Sequence, residues 1–398
     1  MVRSAIPETI GDIDSSWLTS VLRDAGVLGE ASVSAFDSQV LGEGAGFIGQ
    51  LARITLRYDG DAPDAPASVI AKLPSPIARN RGFGIVAGLY ETEIRFYRDL
   101  ADAFPARTPR CYFADCDPEA ASSRAVSWAL ARLPDRVTLA LLDRLAALAA
   151  RGGRRYALVI EDLAGHAHVG DQVAGCSVEE ARAALRALAR MHAGMWNSPR
   201  LAVPWMRAID SDAALVRGGC TRTWPIFIER YGDRVPNVVA VGRWLEVHGE
   251  RLLHYFARPP VTFLHFDYRL DNIFFDRMRA LAPEAVTMID FQAVRTGNPL
   301  VDVAYFLRPN LAPEHADAAE QELLAAYHAE LVAHGVRDMP WERCRHDYQL
   351  AQLWLAMQGA FLLGVLDLSH ERGVELIDRA VERAAPALGR IDLAHVEL

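Results

Sequence analysis

The spacing of apolar residues in the first third of the chain predicts mainly β-strands with one or two helices. From 51 to 58, apolar and polar side chains alternate strictly, which is the pattern of a strand with one face buried. Further strands are expected at 33–41, 68–73 and 156–160, and amphipathic helices at 14–25 and 88–101. The first part of the chain is therefore expected to combine strands with a few helices.

Beyond about residue 165 the pattern becomes that of helices. The sequence SVEE at 177–180 is a capping box and opens a long helix that extends to about 196. Another helix is expected at 316–334, where Gly335 stops it. Three short strands interrupt this half, at 262–266, 272–275 and 286–289. The boundary near Gly165 divides the chain into a smaller mixed domain, 1–163, and a larger helical domain, 164–398.

Length and composition fit a globular chain of two domains, with 398 residues, 51% hydrophobic and 23% charged. The net charge of −9 argues against nucleic acid as a partner, because phosphate binding requires clustered basic residues. The five cysteines are scattered and odd in number, which fits a reducing cytoplasm better than a disulfide framework or a zinc site. The longest apolar run, 353–366, is too short to cross a bilayer, so no membrane association is expected.

The segment HFDYRLDN at 265–272, followed by MIDF at 288–291, carries the strongest chemical signal. It places Asp267 and Asn272 five positions apart in a loop between two strands, and Asp290 after a third strand. Phosphoryl transfer requires a carboxylate that orients the attacking hydroxyl, and an amide and a second carboxylate that hold Mg²⁺. Turn formation between strands is the alternative role for these Asx residues. His265 is expected to brace the loop through a hydrogen bond.

Lys72 lies within an apolar strand, where an ammonium group without a partner would be costly to bury. On the following helix, Glu93 shares a face with apolar residues, whereas Glu91 is expected to face solvent. We therefore expect Lys72 to pair with Glu93, as in kinases where such a pair positions the nucleotide phosphates. The alternative is an edge-strand lysine that extends to water.

Two weaker signals concern the nucleotide. Gly42, Gly44 and Gly46 precede a strand rather than a helix, which favours a flap over the phosphates instead of a dinucleotide-binding turn. The apolar strand at 156–160 leads into Glu161 and Leu163, whose backbone is a candidate site for a nucleotide base, although an ordinary strand end has the same pattern. No GxxxxGK[ST] segment is present, so a P-loop is excluded.

With these segments in order, the chain resembles the aminoglycoside phosphotransferase and choline kinase superfamily, and within it the ecdysteroid kinase-like branch. The resemblance extends from about 40 to 310 and rests on the glycine flap and on a series of motifs: VIAKLP at 69–74, EIRFY at 93–97, IEDL at 160–163, LARMHAGMW at 188–196, HFDYRLDN at 265–272, IDFQ at 289–292 and GNPLVDVAY at 297–305. Two departures concern the catalytic segment. Phe266 stands where many relatives have glycine, and Phe291-Gln292 replaces the Phe-Gly of protein kinases.

The resemblance implies an α+β, bilobal, protein-kinase-like fold, with a five-stranded antiparallel sheet in the N-terminal lobe and a mainly helical C-terminal lobe. It implies that Asp267 is the catalytic base and that Asn272 and Asp290 bind Mg²⁺. Together with the Lys72–Glu93 pair, this predicts a phosphotransferase that uses ATP or GTP to phosphorylate a hydroxyl group of a small molecule.

The acceptor stays open between an antibiotic, a nucleoside, a sterol and another secondary metabolite, and the protein is expected to be a monomer or homodimer. A catalytically silent nucleotide-binding regulator of the same fold is the alternative function. The presence of every residue that catalysis requires argues against it.

Overall fold

A computed structural model of the chain describes residues 5–41, 48–118, 135–365 and 371–398. By their internal contacts, the described residues form two compact units. The first comprises those within Met1–Ala103, Thr108–Ser127 and Ala140–Gly165, and the second comprises those within Phe104–Arg107, Trp128–Leu139 and His166–Leu398. The first unit thus ends two residues beyond the division expected at 163, and the short segment Phe104–Arg107 belongs to the second unit.

The first unit is built on a five-stranded, fully antiparallel sheet with the strand order β1-β2-β3-β5-β4. Its strands are β1 (Ser32–Leu41), β2 (Gly49–Asp59), β3 (Ser68–Pro74), β4 (Cys111–Cys116) and β5 (Tyr156–Glu161). The helices are α1 (Ser15–Asp24), α2 (Ala78–Val86), α3 (Leu89–Asp99) and, from Ala140 onwards, α4 (Asp135–Arg151). This sheet is the one that the family resemblance implies.

Alternation along the strands assigns the two faces of the sheet. In β3, Val69, Ala71 and Leu73 are buried in one apolar core with Leu18 and Leu22 of α1. Because successive side chains point to opposite faces, Lys72 lies on the other side of the sheet. The sheet thereby separates the apolar core from the face that carries the lysine.

The second unit is mainly helical. Its helices are α5 (Val178–Gly194), α6 (Ala213–Tyr231), α7 (Val238–Phe256), α8 (Leu300–Asn310), α9 (Pro313–Ala333), α10 (Trp341–Val365) and α11 (Glu371–Leu388). Helix α5 packs against α9, and α6 packs against α7 and α10. No helix in the described ranges is long and apolar enough to cross a membrane.

Two small sheets of the second unit position the loops that carry Asp267, Asn272 and Asp290. One has the order β6-β8-β9, formed by Ala167–Val169, Ile273–Asp276 and Val286–Met288. The other pairs β7 (Thr262–Leu264) with β10 (Arg295–Gly297). Asp267 and Asn272 therefore lie in the connection from β7 to β8, and Asp290 lies in the connection from β9 to β10.

The strongly periodic segments were predicted to within a few residues. The helix expected at 88–101 is α3, the one at 316–334 is α9, and Gly335 follows α9 with a φ of +95°, as expected of a helix-ending glycine. Elements without a clear period were not predicted, among them α2, β4, β6 and β10. The strand β10 has the sequence RTG, without a strongly apolar residue, so no hydrophobic pattern could reveal it.

The capping box at the start of α5 supplies a test of this local prediction. The Ser177 hydroxyl accepts from the backbone N–H of Glu180 at 3.2 Å, and the Glu180 carboxylate accepts from the backbone N–H of Ser177 at 3.0 Å. We expect Ser177→Ala to lower the free energy of unfolding by about 1 kcal/mol in urea denaturation. The matched control is Glu179→Ala, which removes an exposed acidic residue of the same turn without touching the box. Equal losses in the two variants would contradict the capping role.

Candidate active site

In the first unit, Lys72 forms an ion pair with Glu93. The Nζ atom of Lys72 lies 2.7 Å from Oε2 of Glu93, and both side chains are largely buried, with 13% and 5% exposed. The predicted pairing is therefore confirmed. Its part in binding a nucleotide remains a prediction.

Helix α3 presents its two glutamates to different partners. Glu91 accepts from Arg154 at 2.7 Å and lies 3.4 Å from Arg95, with only 17% of its side chain exposed. The expectation that Glu91 faces solvent was therefore wrong. Arg154 is 63 positions away in sequence, so helical periodicity alone could not reveal this partner.

The backbone around Lys72 leaves little space. A Cβ atom added at Gly49 would lie 3.3 Å from Cε of Lys72, so a larger residue there would press on the lysine. Tyr90 of α3 also ties this region together, because its hydroxyl donates to the carbonyl of Ile48 and accepts from the backbone N–H of Ser75. Gly42, Gly44 and Gly46, the predicted phosphate flap, lie outside the described residues.

The end of β5 is fixed by Asp162, a residue that sequence reasoning did not single out. Its carboxylate accepts from Nε of Arg53 at 2.6 Å and from the hydroxyl of Ser68 at 2.7 Å, which joins it to β2 and β3. Burial alone would raise the pKa of Asp162, but these bonds outweigh it and lower the pKa. Asp162 therefore anchors the segment that contains Glu161 and Leu163 to the strand that carries Lys72.

Glu161 and Leu163 themselves lie at this strand end. The Glu161 carboxylate accepts from the backbone N–H of Arg110 at 3.1 Å, and the backbone N–H of Glu161 donates to the carbonyl of Arg110 at 2.9 Å. Leu163 is buried in the short turn that follows. Contact of their backbone with a nucleotide base remains a prediction.

In the second unit, the loop after β7 is held by Asp302 of α8. This carboxylate is fully buried and accepts from the backbone N–H of His265 at 2.7 Å and from that of Phe266 at 2.9 Å. His192 lies 3.3 Å from the same carboxylate and 2.7 Å from the Tyr327 hydroxyl. Burial is the main cause that lowers the pKa of His192, so a neutral ring is favoured there. The two bonds that Asp302 accepts from His265 and Phe266 hold a sharp turn of the backbone at Phe266, where φ is +66°.

Asp267, the predicted base, follows this turn and has three neighbours that fix its carboxylate. Oδ1 accepts from the Tyr305 hydroxyl at 2.9 Å and lies 3.3 Å from Nε of Arg269. Oδ2 accepts from the amide of Asn272 at 2.9 Å. About 20% of the side chain stays exposed. The carboxylate is therefore held in one orientation and can still be reached by another molecule.

Asp290 approaches Asn272 because β8 and β9 are paired. The ladder joins Ile273 to Met288, and the backbone N–H of Ile289 then donates to the carbonyl of Asn272 at 3.0 Å. Asp290 follows with a φ of +67°. The structure therefore brings together Asp267, Asn272 and Asp290, although their roles stay predictions. His265 braces the same place as expected, with Nε2 at 2.9 Å from the carbonyl of Ile289.

Arg269 carries the positive charge of this cluster. Burial by itself lowers the pKa of Arg269, but the neighbouring charges of Asp267, Asp271 and Asp290 outweigh burial and raise it. Nη1 of Arg269 also donates to Asp271 at 2.7 Å, and the Asp271 carboxylate accepts from the backbone N–H of Gln172 at 3.1 Å. Asp271 therefore has a structural role, in keeping with its exclusion from the predicted site.

Sequence reasoning missed Arg269, Tyr305 and Asp302. The segment at 265–272 contained a signal for Arg269, because this arginine stands between Asp267 and Asp271, and a buried guanidinium requires a carboxylate partner. Tyr305 and Asp302 belong to the segment at 297–305, which the resemblance marked only as a structural continuation. No local pattern indicates that they contact a loop more than 30 residues earlier.

The comparisons with known proteins can be set beside this geometry. A family model described as the ecdysteroid kinase-like family matches residues 43–195 and 240–337, well over half of the chain. The chain belongs to the ecdysteroid kinase-like family. The predicted superfamily branch is therefore confirmed, together with its kinase-like α+β fold and the general class of small-molecule kinase.

Several solved structures are similar to this family member over most of their length. They include the amicoumacin kinase hAmiN in complex with AMP-PNP, Ca²⁺ and Ami (14% identity, 95% of this chain and 96% of that chain, TM-score 0.49), the choline kinase LicA from Streptococcus pneumoniae (14%, 94% and 100%, 0.46) and a microcompartment-associated aminopropanol kinase (15%, 93% and 96%, 0.44). A search of curated protein sequences found no significant match. The family assignment therefore rests on the family model.

The donor set of this kinase-like site suits magnesium. Asn272 supplies an amide oxygen and Asp290 a carboxylate, and Mg²⁺ prefers hard oxygen ligands. The Asn272 amide nitrogen donates to Asp267, which directs the amide oxygen away from that carboxylate. Within the described ranges, no group of three or more His, Cys, Asp and Glu side chains could hold a metal ion. Two protein oxygen ligands would leave the other positions around such an ion to phosphate oxygens or water.

The role of Asp302 can be tested by stability measurements. Asp302→Ala leaves two buried backbone N–H groups without an acceptor, and each costs about 1–3 kcal/mol. We expect the free energy of unfolding, measured by urea denaturation, to fall by about 3 kcal/mol or more. The control is Asp338→Ala, which removes an exposed carboxylate that accepts from Nε1 of Trp196 at 2.8 Å. If Asp302→Ala costs no more than the control, Asp302 does not hold the loop.

Proposed function

We propose that this protein transfers a phosphoryl group from ATP or GTP to a hydroxyl group of a small molecule, in a reaction that depends on Mg²⁺. The observation that carries the proposal is the fixed carboxylate of Asp267, whose two oxygens are bound by Tyr305 and Asn272. Asn272 is also the predicted metal ligand. The side chain of Asn272 would therefore contact both the Mg²⁺ ion and Asp267, the group that would activate the acceptor hydroxyl, and phosphoryl transfer requires these two groups to lie close together.

Asp267 acts as the base in this proposal. Its carboxylate accepts the proton of the acceptor hydroxyl as the oxygen of that hydroxyl attacks the terminal phosphorus of the donor. The bond from this phosphorus to the oxygen that bridges it to the β-phosphate breaks, and the nucleoside diphosphate leaves with that oxygen. Tyr305 and Arg269 keep the carboxylate oriented. The nearby positive charge of Arg269 also limits the repulsion between Asp267 and Asp290.

The remaining predicted residues serve the donor. Asn272 and Asp290 would hold Mg²⁺, which when bound offsets the negative charge of the phosphates. Lys72, oriented by Glu93, binds the α- and β-phosphates, while the flap at Gly42, Gly44 and Gly46 covers them. The backbone of Glu161 and Leu163 binds the base. A cytoplasmic location completes the proposal, since all five cysteines are free.

The metal prediction is tested with nucleotide and without any acceptor. If Asn272 and Asp290 bind Mg²⁺, ATP with Mg²⁺ should raise the melting temperature more than ATP with EDTA does, because ligands of the folded state stabilise it. Asp290→Ala removes a charged oxygen ligand and should abolish this difference. The matched control is Asp276→Ala, whose carboxylate pairs with Arg107 and Arg279 elsewhere in the second unit. An unchanged magnesium-dependent shift in Asp290→Ala would place the metal at another position.

The base prediction requires an acceptor, found by screening hydroxylated compounds for nucleotide consumption. Asp267→Asn should lower turnover about 10²–10⁴-fold, the usual effect of removing a positioned base. It should leave the affinity for Mg²⁺–nucleotide nearly unchanged, since Asp267 is not a proposed metal ligand.

Asp271→Asn is the internal control for this experiment. Asp271 bonds to Arg269 and to the backbone of Gln172, so its replacement should lower stability more than turnover. If Asp271→Asn is the more damaging change to turnover, the base has been assigned wrongly. If nucleotide binds but none of the screened compounds stimulates its consumption, the result favours the nucleotide-binding regulator.

A further inference from the structure

Arg295 lies next to the catalytic loop. It begins β10 and pairs with Leu264 of β7, three positions before Asp267. Its guanidinium carbon lies 5.7 Å from the centre of the Phe266 ring, within the range of a cation–π contact. Phe266 is the residue immediately before the proposed base. Arg295 therefore stands one side chain away from the site of phosphoryl transfer.

The positive charge of Arg295 is not neutralised by a carboxylate. Within the described part of the chain Arg295 forms no ion pair, and Nη1 donates only to the backbone carbonyls of Ala293 and Val294, at 3.3 and 3.0 Å. The neighbouring Arg207 differs, because it pairs with Asp212. The pKa of Arg295 is lowered to about 10, mainly by burial and next by the positive charge of Arg207. The negative charge of Asp212 acts in the opposite direction and raises this pKa. A partly buried cation without a counter-ion is costly and calls for an anion.

An aromatic surface connects Arg295 to the proposed base. The centre of the Trp354 ring lies 5.3 Å from the centre of the Phe266 ring and 6.1 Å from the centre of the Tyr305 ring. Tyr305 in turn holds Asp267. Phe266 keeps its ring in this row although its backbone has a φ of +66°, a conformation that disfavours bulky residues. Phe266 and Tyr305 are partly exposed, so a ligand can contact this row.

We propose that Phe266 and Arg295 form the acceptor subsite, and that it selects an alcohol with an apolar or aromatic ring that carries a carboxylate or a comparable anionic group. The proposal rests on the phosphotransferase function proposed above. The hydroxyl would be bound at Asp267, the ring against Phe266 and the anion at Arg295. A guanidinium binds a carboxylate through two parallel hydrogen bonds, which a lysine cannot reproduce.

The position of Arg295 argues against an acceptor whose ammonium group would lie beside Phe266. Arg269 pairs with Asp267 and Asp271, and Arg207 pairs with Asp212. Of these three arginines, Arg295 is the one that forms no ion pair with a described carboxylate. An ammonium group at this position would meet a like charge, which disfavours binding.

Three probes of equal size test the proposal without turnover: benzoate, benzamide and benzylamine, which is an ammonium ion at neutral pH. Their dissociation constants are measured on the full chain by ligand-observed NMR. We expect benzoate to bind at least about fivefold more tightly than the other two, since bonds between charged groups are the stronger ones. Arg295→Gln should weaken benzoate about tenfold and leave benzamide nearly unchanged. Arg295→Lys should restore part of the preference.

Two further variants separate the ring from the charge. Phe266→Gly should weaken all three probes by a similar factor and keep the preference for benzoate. Arg258→Gln is the matched control, because Arg258 also lies 5.7 Å from an aromatic ring, that of Tyr255, and is exposed. It should change none of the three constants. Circular dichroism of each variant shows whether it has folded.

The outcomes are distinct from those that test the phosphotransferase itself. Equal affinity for the three probes, no binding of any, or a benzoate preference that survives Arg295→Gln in a folded protein would overturn the subsite. Benzoate that is displaced competitively by ATP with Mg²⁺ would also overturn it, because Arg295 would then bind donor phosphate. Benzoate that binds together with ATP and Mg²⁺ supports it, whether or not an acceptor is yet known.

Discussion

The candidate site depends first on two hydrogen bonds that the Asp302 carboxylate accepts from consecutive backbone N–H groups. A fully buried carboxylate is stable only if its oxygens accept hydrogen bonds, and here two of the donors are backbone N–H groups of the loop after β7. The same bonds hold His265 and Phe266 in a turn that the chain would not otherwise favour. The position of Asp267 thus depends on a buried carboxylate of helix α8, more than 30 positions later in the sequence.

Charge compensation is the rule that organises the rest of both units. In the first unit, Lys72 pairs with Glu93, and Arg53 pairs with Asp162. In the second, Arg269 lies among three aspartates whose mutual repulsion would otherwise oppose their placement. The pairs Lys72–Glu93 and Arg53–Asp162 join elements that are distant in sequence, whereas Arg269 pairs with Asp267 and Asp271 within one loop.

This rule also explains how far the sequence could predict the structure. Periodicity and capping depend on neighbours a few positions away, so β2, α3 and the start of α5 were predicted correctly. Helical periodicity also placed Glu93 on the inward face of α3, where it could pair with Lys72. Glu91 was assigned wrongly, since its partner Arg154 is brought to it only by the folded sheet. Tyr305 and Asp302 escaped prediction for the same reason: their importance lies in contacts across 36 to 38 positions.

Arg295 differs from the other arginines of the site because it forms no ion pair with a described carboxylate. Most arginines of the site have a carboxylate, and the cost of a partly buried guanidinium without one is offset only in part by the carbonyls of Ala293 and Val294. Those carbonyls also fix the planar group, so an incoming anion meets a donor that has already lost much of its rotational freedom. A residue kept for stability alone would be served better by an apolar side chain beside Phe266. In the proposed subsite, this charge is half of an ion pair, and the acceptor brings the other half.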